Sequence, residues 1–372
     1  MRILIHDKAY RYKYIFDTKT GGYVRTGILD EDGNDTGVDP FRGSFPHLID
    51  VGIMGHCIHG KTGLCVRAGI QCYQNGLTRE EPNMALEDFE SIVRQCRGRV
   101  NQFALGGCGD PDQHECIEEI LRLCDENTIV PNFTTSGYGM TPQMAKLCKR
   151  YLGAVAVSWY RSAYTLRAID MLTGAGVLTN IHYVLGRNSI DEAVERLKNH
   201  SFPRGIGSVV FLLHKPAGQG RQSNVLSPDD PRVAEFFSLI DKGGYPHKVG
   251  MDSCCVPGIV QFCQHVMPEA IDTCEGGRFS CYISADMQLL PCSFDQRRLY
   301  AVSLREHTIG EAWDSETFDR FRSILQSHCP QCEKRADCMG GCPLMPEVVL
   351  CGEFQRRRLR SATDSFPGSA EA

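Results

Sequence analysis

The sequence predicts an α/β fold: a core of strand–helix units behind a short β-hairpin segment, with a cysteine-rich extension at the C-terminus. Three observations carry this. From residue 48 to about residue 255, strand-like runs alternate with helical periodicity. Such repeats imply parallel strands joined by right-handed crossovers, in an open sheet or a barrel, and about six units fall short of the eight that close one. Beyond 255 the periodicity fades and cysteine, glycine and proline dominate, as in a segment held by metal rather than by a large apolar core.

Residues 1–45 read as a β-hairpin segment, with runs 14–16 and 23–28 flanking the turn Thr20-Gly21-Gly22. Core strands are expected at 48–53, 102–105, 130–135, 154–159, 178–185, 208–213 and 248–251. Helices are expected at 86–96, 113–125, 141–151, 162–174, 190–199 and 231–241. The second shows the period well: Ile117, Ile120, Leu121 and Cys124 lay one apolar stripe against a sheet. The resulting division is 1–45 hairpin segment, 46–255 core, 256–351 extension and 352–372 tail, whose end, 361–372, is expected to be disordered.

Composition narrows the class. The 372 residues are 42% hydrophobic and 23% charged, as in an ordinary soluble protein. A formal charge of −5 and a pI near 6.2 give no electrostatic reason to expect nucleic acid or anionic lipid. No apolar run has the length of a membrane span, and the N-terminus lacks the apolar stretch of a signal peptide. A cytoplasmic location is therefore expected. In that reducing compartment nineteen cysteines, an odd number, are not a disulfide framework. Metal ligation or burial must explain them.

Their spacing favours ligation. Near the C-terminus stands Cys329-x2-Cys332-x5-Cys338-x3-Cys342, preceded by Cys274, Cys281 and Cys292 and followed by Cys351. These eight thiolates suffice for two four-cysteine iron–sulfur clusters. An earlier trio, Cys57, Cys65 and Cys72, follows the first core strand, and the C-terminal ends of parallel strands are where such folds place active sites. Three thiolates hold a four-iron cluster and leave one iron open. Zinc also takes four thiolates in small loops, so a zinc-stabilised module is the alternative. His56 and His59 are further potential ligands in the early loop, or hydrogen-bonding partners.

Short motifs recur at consecutive strand ends: Gly106-Gly107-Cys108-Gly109-Asp110-Pro111, Thr134-Thr135-Ser136-Gly137, Val157-Ser158 and Gly186-Arg187-Asn188. With the cysteines, they make the chain resemble a radical S-adenosylmethionine (SAM) enzyme bearing a C-terminal SPASM domain, over residues of about 46–351. The resemblance implies a partial (β/α)6 TIM-like barrel. Cys57, Cys65 and Cys72 would hold the SAM-binding 4Fe–4S cluster, and Gly106, Gly107, Cys108, Thr135, Ser136, Ser158 and Arg187 would contact SAM. By position, Cys274, Cys281, Cys292 and Cys342 would hold the first auxiliary 4Fe–4S cluster, and Cys329, Cys332, Cys338 and Cys351 the second.

The chain departs from the family in four places. The early spacing is x7 and x6 rather than x3 and x2, Cys108 replaces a glutamate, Met287 replaces a glycine, and Ser293 stands where sulfatase-maturing relatives carry aspartate. The resemblance implies cleavage of SAM to a 5′-deoxyadenosyl radical and hydrogen abstraction from a ribosomally made peptide or protein, with cross-link or thioether formation. It also implies a low-potential donor of flavodoxin or ferredoxin type. A small-molecule substrate and a non-catalytic metal-stabilised or electron-carrier protein are the alternatives. Residues 1–45 are too few for a winged-helix leader-binding domain. Cys254 and Cys255, at the end of the last core strand, are placed to face the cavity.

Overall fold

The computed structural model describes residues 1–327 and 329–364. Strands β1 (Arg2–Asp7), β2 (Tyr12–Asp17) and β3 (Tyr23–Arg25) form a small antiparallel sheet in that order. The expected hairpin is β2–β3, with β3 ending earlier than read. β1 has no clear sequence signal because its outward position 4 is a leucine, which blurs the period-two contrast. Tyr12 and Tyr14 turn inward against Phe279. The three tyrosines enclose His47: the Tyr12 and Tyr23 hydroxyls sit 2.7 and 2.8 Å from its two ring nitrogens, and Tyr14 stacks on it at 4.0 Å.

The core opens with β4 (Leu48–Met54), followed by a loop holding the short helices α1 (Ile58–Thr62) and α2 (Leu64–Arg67). Then come α3 (Leu86–Cys96), β5 (Gln102–Gly107), α4 (Ile117–Glu126), β6 (Val130–Thr135), α5 (Pro142–Tyr151), β7 (Val155–Ser158), α6 (Ala163–Gly174), β8 (Thr179–Leu185), α7 (Ile190–Lys198), β9 (Ser208–Leu213), α8 (Pro231–Lys242) and β10 (Lys248–Met251). These lie close to where periodicity places them, and local chemistry sets several starts. Thr141, Ser162 and Asp230 each accept a backbone N–H at the head of α5, α6 and α8, and Pro142 and Pro231 begin two of those helices.

β4 to β10 pair in parallel, neighbour to neighbour. Helices cover one face: Phe89 of α3 meets Phe103 edge-on at 6.0 Å, and Phe236 of α8 meets Phe211 at 4.9 Å. Ile49, Val51, Leu105, Phe133, Val157, Ile181 and Val209 are buried on that side. The alternate positions face the lumen, and there the chain places Asp50, Asn132, Thr134, Ser158, Asn180 and His182. A packed barrel interior is filled by branched aliphatic side chains. This lumen is polar, as a ligand chamber requires.

Helix α9 (Val256–Phe262) continues directly from the last core strand, and Phe262 stacks on Phe237 of α8 at 5.7 Å. The core therefore runs past the expected break at 255. β11 (Ser280–Ile283), β12 (Gln288–Leu290) and β13 (Val302–Ser303) then extend the same sheet. Among the described residues it has ten strands in the order β10-β9-β8-β7-β6-β5-β4-β11-β12-β13, and it does not close. β11 joins β4 in parallel, with Cys281 opposite Ile49 and Tyr282 opposite Asp50. The extension is thus fused to the barrel edge; a four-residue strand gives too little periodicity to announce this. Helices α10 (Ile309–Trp313), α11 (Glu316–Ser327), α12 (Arg335–Cys338) and α13 (Gly352–Asp364) complete the chain. Residues 361–364 are helical rather than disordered, and 365–372 lie outside the described residues.

His47 makes acid stability testable. Burial, reinforced by Arg25, lowers its pKa from 6.5 to about 3. Below pH 6.5 the unfolded chain takes a proton that the folded chain refuses, so stability is lost as pH falls toward 3. Thermal midpoints measured at about pH 7.5 and about pH 5 should lie further apart in the native protein than in His47→Gln.

Candidate active site and metal centres

The early trio is gathered by the α1–α2 loop. Cys57 caps α1, its Sγ accepting the Gly60 N–H at 3.0 Å, and Cys72 Sγ accepts the Gly76 N–H at 3.5 Å. A Cβ built on Gly76 would lie 3.5 Å from Cys72 Sγ and 3.6 Å from Cys57 Sγ, so the two sulfurs flank one point. Cys65 lies close enough for its charge to act on Cys57, and that of Cys72 acts on both. Burial pushes the Cys57 thiol up to about 11, against the Gly60 N–H. The long spacers are absorbed by two helical turns, which return Cys57 and Cys72 to one point with Cys65 near enough for charge to couple it to both.

Two groups complete this site that the motif reading passed over. Asp110 sits among the trio, and its carboxylate accepts from the Ser136 N–H at 2.8 Å and from the Ser136 hydroxyl. Burial, then Asp112, push its pKa up to about 7, against the Ser136 bonds. Tyr160, just past β7, has Asp110 and all three thiols as charged neighbours, and burial leads the rise of its pKa. The signal for Asp110 was in the motif: it is the carboxylate of Gly106-Gly107-Cys108-Gly109-Asp110-Pro111.

The expected SAM contacts divide. Gly106 and Gly107 end β5 beside the trio, and Gly107 has φ +111. Cys108 is buried beneath the loop, donating its thiol hydrogen to the Gln74 carbonyl at 3.3 Å. Thr135 is fully buried and accepts the Gly137 N–H at 2.9 Å, a turn-forming role. Ser136 holds Asp110, and Ser158 stands opposite His182 at the lumen edge. Arg187 is exposed and acts on Asp230 at the head of α8, away from the trio. A strand-end position alone did not tell outward from inward.

The late cysteines form two groups, one of them differing from expectation. Cys329, Cys332, Cys338 and Cys351 are mutual charged neighbours; burial pushes Cys338 up to about 11, against the Gly340 N–H. In the other group Cys274 and Cys292 are neighbours of each other and of Cys254, which shares a hydrogen bond with Cys342. Cys281 is not among them. Its partner in register, Ile49, is buried on the helix-covered face, so its thiol lies under α3 with Cys96 as a charged neighbour. Cys254, set after β10, takes the place expected for Cys281. Among the described residues no three His, Cys, Asp or Glu side chains converge tightly enough for a single metal ion. A four-iron cube instead takes its thiolates at separate corners.

Lys215, after β9, is buried against the Cys254 group; burial opposes its charge, but Asp252, Cys254 and Cys342 outweigh it. Deeper in the lumen, burial lowers the His182 pKa to about 4 and raises that of Asp50 to about 7. His182 Nδ1 lies 3.3 Å from the Thr134 hydroxyl. Tyr73, next to Cys72, stacks on Phe294 at 4.3 Å, joining the early loop to the extension. Beside that joint a polar cavity of about 370 Å³ is lined by Gln74, Arg79, Tyr282, Ser293 and Gln296, among others. No helix among the described residues is long and apolar enough to cross a membrane.

Comparison with known proteins matches residues 274–339 to SPASM, an iron–sulfur cluster-binding domain. In fold, the chain is similar to Streptococcus suis SuiB bound to S-adenosylmethionine, with a TM-score of 0.68 and 14% identity over 94% of this chain and 98% of SuiB. SuiB bound to the precursor peptide SuiA gives 0.65 and 14%, over 95% and 100%. The structure of anSMEcpe with bound AdoMet gives 0.58 and 15%, over 87% and 96%. No curated protein sequence matches the chain. The chain thus carries a SPASM domain on the partial-barrel fold of these proteins.

The β4–β5 contact is tested at Gly107. A Cβ there would lie 2.4 Å from the Met54 carbonyl oxygen, in a backbone conformation that L side chains rarely adopt. Gly107→Ala should lower the unfolding free energy by more than ~1 kcal/mol in denaturant titration.

Proposed function

We propose that this chain is a radical SAM enzyme that oxidatively modifies a ribosomally made peptide or protein. The observation that carries the reading is the convergence of Cys57, Cys65, Cys72 and Asp110 at the lumen mouth of a sheet that continues into a SPASM domain. The thiols fit an iron–sulfur cluster: Cys57 and Cys72 flank one point beside Gly76, a residue with no side chain to fill it, and each accepts a backbone N–H. Such N–H bonds stabilise thiolate over thiol. Cys57, Cys65 and Cys72 would hold the SAM-binding cluster. Cys254, Cys274, Cys292 and Cys342 would hold one auxiliary cluster, and Cys329, Cys332, Cys338 and Cys351 the other.

Held by Cys57, Cys65 and Cys72, such a cluster would supply the low-potential electron for reductive cleavage of SAM and so the radical chemistry at the substrate. The protein binds, orients and excludes water. Asp110, held by Ser136, would accept the SAM ammonium; this supplies the carboxylate lost at Cys108. Ser158 lines the adjoining lumen edge. Peptide substrates are supported by the neighbours: SuiB was solved with its precursor peptide SuiA, and anSMEcpe with AdoMet and the Cp18Cys peptide. A flavodoxin- or ferredoxin-type protein would deliver the low-potential electron.

Anaerobically reconstituted protein with dithionite and SAM should release 5′-deoxyadenosine, and Cys57→Ala should abolish it; zinc-only protein without turnover would overturn the reading. Asp110→Asn should weaken SAM binding roughly tenfold or more by equilibrium dialysis, about 1.4 kcal/mol per tenfold. Iron analysis and Mössbauer spectra should show one auxiliary cluster damaged in Cys254→Ser and all clusters retained in Cys281→Ser.

A further inference from the structure

Lys215 is an unusual residue to bury. Its side chain is 2% exposed, and its Nζ donates to Asp252 Oδ2 at 2.9 Å and to the Leu213 carbonyl at 3.1 Å. The ammonium also stands 4.4 Å from the centre of the Phe294 ring. Those contacts place it between two cysteine-bearing loops. Asp252 lies two residues before Cys254, and the Phe294 N–H bonds to the Cys292 thiol. The charges of Cys254 and Cys342 also reach the ammonium. Asp252 Oδ2 is shared with the Leu213 N–H at 3.2 Å, while Asp252 Oδ1 is buried without a partner.

Burying an ion pair of this kind rarely stabilises a fold more than apolar side chains of the same volume would. The pair therefore needs another explanation, and the neighbouring thiolates supply it. A four-thiolate cluster is anionic and gains one further negative charge on accepting an electron. A fixed cation beside it, in a poorly screened interior, favours the reduced form, and a carboxylate opposes it. We infer that Lys215 and Asp252 set the reduction potential of the auxiliary cluster held by Cys254, Cys274, Cys292 and Cys342, the lysine raising it and the aspartate trimming that effect. Both act as positioning residues through the cluster, which makes it the better acceptor for the one electron lost by the substrate radical. The inference rests on the proposed ligand set.

The test is an EPR-monitored redox titration of the reconstituted full chain. The cluster on Cys329, Cys332, Cys338 and Cys351 serves as an internal reference. Lys215→Met should shift the first auxiliary cluster to a more negative potential, with a roughly tenfold fall in its equilibrium constant for reduction, about 59 mV for one electron. Asp252→Asn should shift it positive, and Lys215→Arg should leave it near the native value. With both auxiliary clusters assembled, an unmoved potential in Lys215→Met and Asp252→Asn overturns the inference while leaving the ligand set intact. Should Lys215→Met fail to assemble, the sign of the Asp252→Asn shift decides. If Cys254→Ser removes no cluster signal from the otherwise native chain, the ligand set and the inference fall together.

Discussion

The parallel pairing of β11 with β4 is the constraint on which the arrangement depends. It is four residues long, from Ser280 opposite Leu48 to Ile283 opposite Val51. Side chains alternate across a strand, so a slip of one residue would exchange the two faces. In the observed register Tyr282 stands on the lumen side with Asp50, while Cys281 goes under the helices with Ile49. The head of the strand is clamped as firmly. Arg278 is 1% exposed and holds Asp39 through two bonds of 2.7 Å, the Phe41 carbonyl at 2.6 Å and the Thr273 hydroxyl at 2.7 Å. Phe279 then receives Tyr12 and Tyr14, so the N-terminal sheet closes over the same joint.

From that joint the cysteine loops are delivered to the C-terminal ends of the strands. The early loop leaves β4, Cys254 follows β10 at the far end of the parallel run, and Cys274 and Cys292 bracket β11 and β12. Strands at opposite ends of the sheet order thus contribute to one thiol group. That requires a curved sheet, and the polar lumen is the space the curvature encloses. The turn between β11 and β12 carries a cost for this geometry. Met287 has φ +66, a conformation natural to glycine, and its side chain is 3% exposed. Buried methionine surface offsets backbone strain there.

Much of this was legible in the sequence, and the reason differs by element. The core strands and helices fall near their expected bounds because two periods, 2 and 3.6, repeat over many residues. Val130–Thr135 and Ser208–Leu213 coincide with the runs read from the sequence. That order left the sheet as open or a barrel and set the early cysteines just after the first core strand; the partial barrel came from the resemblance. β11 was not legible, since backbone pairing over four residues leaves little pattern. The resemblance, carried over by position, grouped Cys281 with Cys274, Cys292 and Cys342, but facing is decided by register, and register is a long-range property. Asp110 was missed for the opposite reason: a motif match at Cys108 drew attention to the substituted position rather than to the carboxylate two residues on.

A local feature recurs at five of the thiols proposed to hold metal. Cys57, Cys72, Cys274, Cys292 and Cys338 each receive a backbone N–H from a residue two to four positions on, at Gly60, Gly76, Gly276, Phe294 and Gly340. Four of those five donors are glycines, which let the chain fold back over the sulfur without a Cβ in the way. Cys96, Cys124 and Cys281 are governed by burial, with nearby charges as the other influences and no such N–H. An N–H dipole aimed at sulfur favours thiolate, the form that binds metal, whereas burial alone favours the thiol. Cys281 shares both the missing N–H and the helix-covered face of the sheet with the core cysteine Cys96, and the face is what decides its place. Cys254 lacks the N–H but has Lys215 in its place, a full charge doing at longer range what the amide dipole does at contact.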